Sequence, residues 1–207
     1  PGNFPHMMLK EIHDQPTALS NALSGRISAD GINSELSGFD LSPEQIKKLD
    51  RINLVACGTA YYASEIISSY IRQFTNLRSE AFIASEFPAK SVCSENTLTI
   101  GVSQSGETKD TLDALFEAKK FGSHISSICN VIGSTMARLT GNGAYLHAGP
   151  EYAVASTKVF TNMVAVGLLF ALTVSNISSP EKKALIKELR KLPNIISSQL
   201  LDADDSI

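Results

Sequence analysis

The chain has 207 residues, 43% of them hydrophobic and 19% charged, with a net charge of −3. This is ordinary globular composition, long enough to bury roughly 70% of its unfolded surface, and it excludes a disordered chain. The acidic balance argues against nucleic acid or an anionic membrane surface as a partner.

The first 50 residues differ from the rest and are expected to form a linker with helices, ahead of a domain over 51–207. Apolar residues at Met8, Leu9, Ile12, Leu19 and Leu23 recur near helical spacing, which predicts a helix over 6–23. Pro16 should kink or interrupt it. Residues 29–42, rich in Gly, Asn and Ser, read as a loop. Ser42-Pro43-Glu44 opens a short helix that ends near Asp50: a capping serine, a proline in the first turn and an early acid.

From Arg51 strands and helices alternate. Residues 52–57 form an apolar strand stopped by Gly58, and a helix follows over 61–74. Further strands are predicted at 80–84, 97–102, 125–131 and, more weakly, 144–148. Helices are predicted at 108–121, around 134–139 and over 156–174. Ser178-Ser179-Pro180-Glu181 opens a last helix that Pro193 should interrupt. Strands apolar on both faces and alternating with helices imply an α/β fold. The expected form is a doubly wound five-stranded parallel sheet of order 2-1-3-4-5 with helices on both faces. Ligands in such sheets bind at the carboxyl ends of the strands, at the switch point between strands 1 and 3.

The three cysteines, Cys57, Cys93 and Cys129, are too widely spaced for a zinc knuckle and fit free thiols in a reducing compartment. Cys57 reads as the end of a buried strand rather than a nucleophile. No secretory signal is visible, and the chain is read as cytoplasmic. The most apolar stretch, 163–172, is about half the ~20 residues of a membrane span, so it is expected inside a buried helix. His6, His13, His124 and His147 form no metal-ligand set. No metal and no cofactor are expected. Asp202, Asp204 and Asp205 read as a solvated acidic tail.

Two loops fall at the switch point. Ser103-Gln104-Ser105-Gly106-Glu107-Thr108 lies between strand 3 and its helix. It offers three hydroxyls, a glycine for a tight turn and a helix N-terminus, which together make a neutral anion site. It lacks the Gly-x-x-x-x-Gly-Lys-Ser/Thr pattern of a nucleoside triphosphate loop. A phosphate monoester on a small molecule fits better; a serine-rich helix cap without a ligand is the alternative. Gly58-Thr59-Ala60 follows strand 1 and faces the same crevice, where Thr59 is placed to meet a sugar hydroxyl or phosphate. Gly149-Pro150-Glu151 and Val154-Ala155-Ser156-Thr157-Lys158 lead into the long helix, either as a loop over a strand end or as a simple helix start. Lys158 is read as neutralising an anion or pairing with Glu151.

The Ser103–Thr108 loop resembles the sugar-phosphate loop of sugar isomerase (SIS) domains. Ala56-Cys57-Gly58-Thr59, Ile83-Ala84-Ser85-Glu86-Phe87, Val154–Lys158, Met8-Leu9-Lys10-Glu11-Ile12 with Gln15-Pro16, and Gly25-Arg26-Ile27 are similar to the glucosamine-6-phosphate synthases, the glutamine–fructose-6-phosphate aminotransferases. The resemblance covers the chain to about Val174 and weakens beyond. It implies a fragment: the first SIS domain with its preceding linker helix, without the N-terminal glutaminase domain and the second SIS domain of the same parent chain. It implies fructose-6-phosphate or glucosamine-6-phosphate as ligand, with Ser103, Gln104, Ser105 and Thr108 holding the phosphate. Thr59 and the backbone of Ala60 would meet the sugar, and Val154 and Ser156 would line the site. Ala60 stands where the family usually has serine, and Tyr152-Ala153 where Ile-Gly is usual.

The catalytic carboxylate, histidine and lysine of the family are implied to lie outside this chain, so the domain is expected to bind weakly without turnover. No residue of this chain is assigned as catalytic, and a homodimer is expected. A non-catalytic SIS sensor is the alternative, which the Glu86 and Val154–Lys158 segments disfavour. A free-standing isomerase would need a base, for which Glu151 is the one candidate at the pocket edge.

Overall fold

The computed structural model describes residues 2–204, with side chains through residue 201. Five parallel strands form one sheet of order β2-β1-β3-β4-β5. They are β1 (Arg51–Ala56), β2 (Arg78–Ile83), β3 (Thr97–Ser103), β4 (His124–Cys129) and β5 (Gly143–Tyr145). The order reverses between β1 and β3, whose register pairs Leu54 with Ile100 and Val55 with Gly101. The predicted doubly wound sheet is therefore the one observed. The edge strand β5 is only three residues long and is offset from the predicted 144–148, although the Leu146 N–H still donates to the Cys129 carbonyl at 2.9 Å.

Side chains alternate across the sheet with period two. Ile52, Leu54 and Ala56 of β1, with Leu98, Ile100 and Val102 of β3, face one core. That core is covered by α2 (Gln15–Leu23), α4 (Thr59–Phe74), α8 (Lys158–Thr173) and α9 (Ser179–Asp204). Val55, Ile125 and Cys129 face the other core, under α5 (Phe87–Lys90), α6 (Lys109–Lys120) and α7 (Thr135–Thr140). Gly101 faces α6 and α7, and a Cβ there would lie 2.7 Å from both Leu115 and Met136; only glycine lets these helices pack so close.

The segment before β1 joins the first core. It carries α1 (Met7–His13), α2 and α3 (Pro43–Lys48). The predicted helix over 6–23 divides at Asp14, so Pro16 sits in the first turn of α2, where its missing N–H costs nothing. Ser42 and Gln45 form a reciprocal capping box on α3. Residues 29–42, read as a loop, bury Leu36 and Phe39, and the Phe39 ring lies tilted against Phe170 of α8 with centroids 4.6 Å apart. Pro193 does not interrupt the last helix: α9 runs through it. Leu185, Ile186, Leu189 and Ile196 anchor both of its halves in the core, which outweighs one lost backbone hydrogen bond. The acidic tail read at Asp202, Asp204 and Asp205 lies outside the residues whose side chains are described. Among the described residues no helix is long and apolar enough to cross a membrane.

Candidate functional site

A cleft of about 200 Å³ opens at the carboxyl ends of β1 and β3. The β1 and β3 chains diverge there into α4 and α6, so the topology leaves a gap that no side chain of the sheet fills. All eight sequence-predicted residues line it: Thr59, Ala60, Ser103, Gln104, Ser105, Thr108, Val154 and Ser156. Cys57, Glu151, Ala153 and Met163 complete much of the wall.

The β3–α6 loop is held open by its own hydroxyls. Ser103 Oγ accepts the Gly106 N–H at 3.0 Å and lies 3.1 Å from Thr108 Oγ1. Ser105 Oγ accepts the Glu107 N–H at 3.1 Å. Gly106 has φ +67°, and a Cβ there would meet Ser134 Oγ at 2.2 Å, so the turn demands glycine twice over. Glu107 points away from the cleft and accepts the Thr135 N–H of α7 at 2.8 Å. The Thr135 hydroxyl first, and then this N–H, hold its carboxyl below the ordinary range.

The cleft is uncharged apart from Glu151, and that carboxylate is occupied. Glu151 Oε1 accepts the N–H of Thr157 at 2.9 Å and of Val159 at 3.2 Å, while Oε2 accepts from Ser156 Oγ at 2.9 Å. It caps α8, a favourable place for a negative charge. Neither α4 nor α6 has a side-chain cap, so two helix N-termini face the cleft with amides that an anion can accept from. Hydroxyls and helix N-terminal amides thus surround a cleft whose one charged lining residue, among the described residues, is Glu151.

Two expectations are corrected. Lys158 does not pair with Glu151. It is buried, and its Nζ donates to Asp14 at 3.0 Å at the junction of α1 and α2; Glu151 is satisfied by hydroxyls and amides instead. Cys57 does not end a buried strand. β1 stops at Ala56, and Cys57 lies half-buried in the cleft wall, 3.9 Å from Thr111 Oγ1. Sequence reasoning also missed Glu11, whose carboxylate accepts the N–H of Tyr152 at 2.6 Å. Its signals are an acid beside the apolar positions Met8, Leu9 and Ile12 and its place in the Met8–Ile12 segment of the family resemblance. Among the described residues no group of three or more His, Cys, Asp or Glu is placed to hold a metal.

The family model of the SIS domain matches residues 45–173. The chain belongs to the SIS domain family. This SIS chain is 41% identical, over all of its length, to the glutamine–fructose-6-phosphate aminotransferase (isomerizing) of Caldanaerobacter subterraneus, covering 34% of that protein. It is 41% identical to the enzyme of the same name from Clostridium acetobutylicum, over 93% of this chain and 32% of that one. It thus spans about a third of the length of these relatives. In three dimensions it is similar to the C-terminal domain of glucosamine-fructose-6-phosphate aminotransferase from Francisella tularensis. The TM-score is 0.83 at 31% identity, over 93% of this chain and 55% of that one.

Proposed function

We propose that this chain is the sugar-phosphate-binding SIS domain of a glutamine–fructose-6-phosphate aminotransferase, with residues 1–50 as linker and helices ahead of a domain over 51–207. The observation that carries the reading is the convergence of Ser103, Ser105, Thr108 and Thr59 on one cleft that holds no basic residue. Identity near 40% to aminotransferases along the whole chain supports it.

The ligand is fructose-6-phosphate or glucosamine-6-phosphate. Ser103, Gln104, Ser105 and Thr108, with the N-terminus of α6, hold the phosphate monoester. Hydroxyl and amide donors suit a dianion on a small molecule without recruiting a counter-ion. Thr59, the backbone of Ala60, Val154 and Ser156 flank the sugar. The chain supplies positioning rather than acid–base chemistry. Glu151 is committed to capping α8, so it is a poor base. Proton transfer then belongs to groups outside this chain, and the domain alone binds without turnover. The remaining parts of the proposal are a glutaminase domain and a second SIS domain as partners in one parent protein, a homodimer, and a cytoplasmic setting.

Calorimetric titration with fructose-6-phosphate, with fructose as the control, tests the reading. Saturable binding of the phosphate ester alone is expected. Hydrogen bonds to a charged group are each worth about 1.5–3 kcal/mol, so Ser103→Ala with Ser105→Ala should weaken it by about 100-fold or more. A folded chain that binds neither compound, or binds both alike, overturns the reading.

A further inference from the structure

The face that α1 and α2 turn toward α8 carries a row of polar groups. Glu11 is 1% exposed, and its carboxylate accepts the N–H of Tyr152 at 2.6 Å and of Ala153 at 3.2 Å. Asp14 takes Lys158 Nζ at 3.0 Å. Gln15 Oε1 accepts from Thr161 Oγ1 at 2.7 Å, and the Ala18 carbonyl accepts from Asn162 Nδ2 at 2.9 Å. Residues 11, 14, 15 and 18 flank the break between α1 and α2 at Asp14, and their bonds run along the cleft loop and the first turns of α8.

A carboxylate buried this deeply is costly unless its acceptors are filled. The amides that fill Glu11 belong to the loop lining the cleft. That loop has little packing of its own: Val154 is fully exposed, and Tyr152 is 70% exposed. Its path is therefore set by tethers, with Glu11 at its start, Glu151 within it, and Asp14 on Lys158 at its end.

We infer that Glu11 is a positioning residue for the cleft, through which α1 fixes the conformation of residues 152–156 and hence the placing of Val154 and Ser156. The inference rests on the sugar-phosphate reading of the cleft. Coupling of this kind is reciprocal, so filling the cleft stiffens α1.

The test is amide hydrogen exchange on the whole chain, wild type and Glu11→Gln, with and without fructose-6-phosphate, alongside calorimetry. Glutamine keeps one acceptor oxygen but turns an NH2 donor toward an N–H that needs an acceptor. Exchange over 150–157 should rise tenfold or more while β3 is unchanged, and affinity should fall about tenfold. In the wild type the ligand should slow exchange along α1; in Glu11→Gln it should not. Leu189→Ala, which loosens α9 without touching the loop, is the control for general destabilisation and should leave affinity unchanged. Equal loop exchange in wild type and Glu11→Gln overturns the inference. So does an equal affinity loss in Leu189→Ala at matched loss of Tm. A folded wild type that binds no sugar phosphate refutes the reading of the cleft instead, and the exchange comparison then decides alone whether Glu11 holds the loop.

Discussion

At Gly106 one hydrogen atom separates a working turn from a broken one. Its left-handed φ of +67° already disfavours any other residue, and the added Cβ would lie 2.2 Å from Ser134 Oγ. Ser134 caps α7 through the Ala137 N–H, so moving it uncaps that helix. Gly106→Ala therefore combines backbone strain with loss of a cap, about 2–3 kcal/mol together. A urea melt should show that loss, and sugar-phosphate binding should disappear with it; a variant as stable as wild type would mean the turn tolerates a side chain. The thiols make a second prediction. Burial pushes the Cys129 thiol up, and hydrogen bonds from Ser134 and Ser127 offset this only in part, so little thiolate forms near pH 8. Cys57 is half-buried in the cleft. A thiol-alkylating reagent followed by peptide mass spectrometry should label Cys57 well before Cys129, and fructose-6-phosphate should slow Cys57 alone. Labelling of Cys57 that ignores the ligand would place the sugar elsewhere.

Between elements, α4 packs closely on α8. A Cβ on Gly167 would lie 2.2 Å from Ile67 Cγ1, and Ile67 is itself fully buried. In an isolated helix Gly→Ala gains about 1 kcal/mol; here the clash costs about 1–3 kcal/mol. Because the overlap is with a buried branched side chain, the clash wins and Gly167→Ala is destabilising. Ile67→Ala alone should cost about 2–4 kcal/mol by opening a cavity. The double variant should be more stable than the sum of the two losses by at least about 1 kcal/mol. Strict additivity in chemical denaturation would show that the helices do not press on one another. The same elements show what sequence can and cannot carry. The strands were legible because runs such as 52–57 and 97–102 are rich in apolar and β-branched residues and stop at Gly58 and Ser103, and the cleft residues Thr59, Ala60, Ser103, Gln104, Ser105 and Thr108 were legible because they stand at such ends. The short α5 was missed, since four residues carry no periodicity. Leu36 and Phe39 were read as loop because Gly, Asn and Ser surround them. Lys158 and Glu11 were misread or passed over because their partners, Asp14 and Tyr152, lie far away in sequence, and local pattern holds no trace of such pairing.

Across the whole molecule those distant pairs make stability depend on pH. Burial alone would raise the Asp14 carboxyl, but hydrogen bonds from Lys10 and Lys158, with their charges, outweigh it and hold it below its ordinary value. Asp30, Glu107 and Glu181 are shifted in the same direction, each chiefly by a hydroxyl hydrogen bond. A carboxyl whose folded pKa is depressed contributes stability that is fully present above its unfolded pKa and is lost as pH falls through the folded one. With unfolded values of about 4, the chain should hold its stability from about pH 8 down to about pH 5 and lose it below about pH 4. Asp14 can be separated from the rest. The Lys158 side chain is only 6% exposed, whereas that of Asp14 is 31% exposed. Removing one partner of a fully buried pair costs about 3–5 kcal/mol; with Asp14 partly in water, Asp14→Asn should cost about 2 kcal/mol at pH 7. As pH falls below about 4 and through its depressed folded pKa, the wild-type carboxyl takes up a proton, so the gap between the two proteins should narrow. Denaturant melts of both at pH 7 and pH 3 decide the matter: a gap that persists unchanged at pH 3 would mean that Asp14 acts through its shape and not through the charge it presents to Lys158.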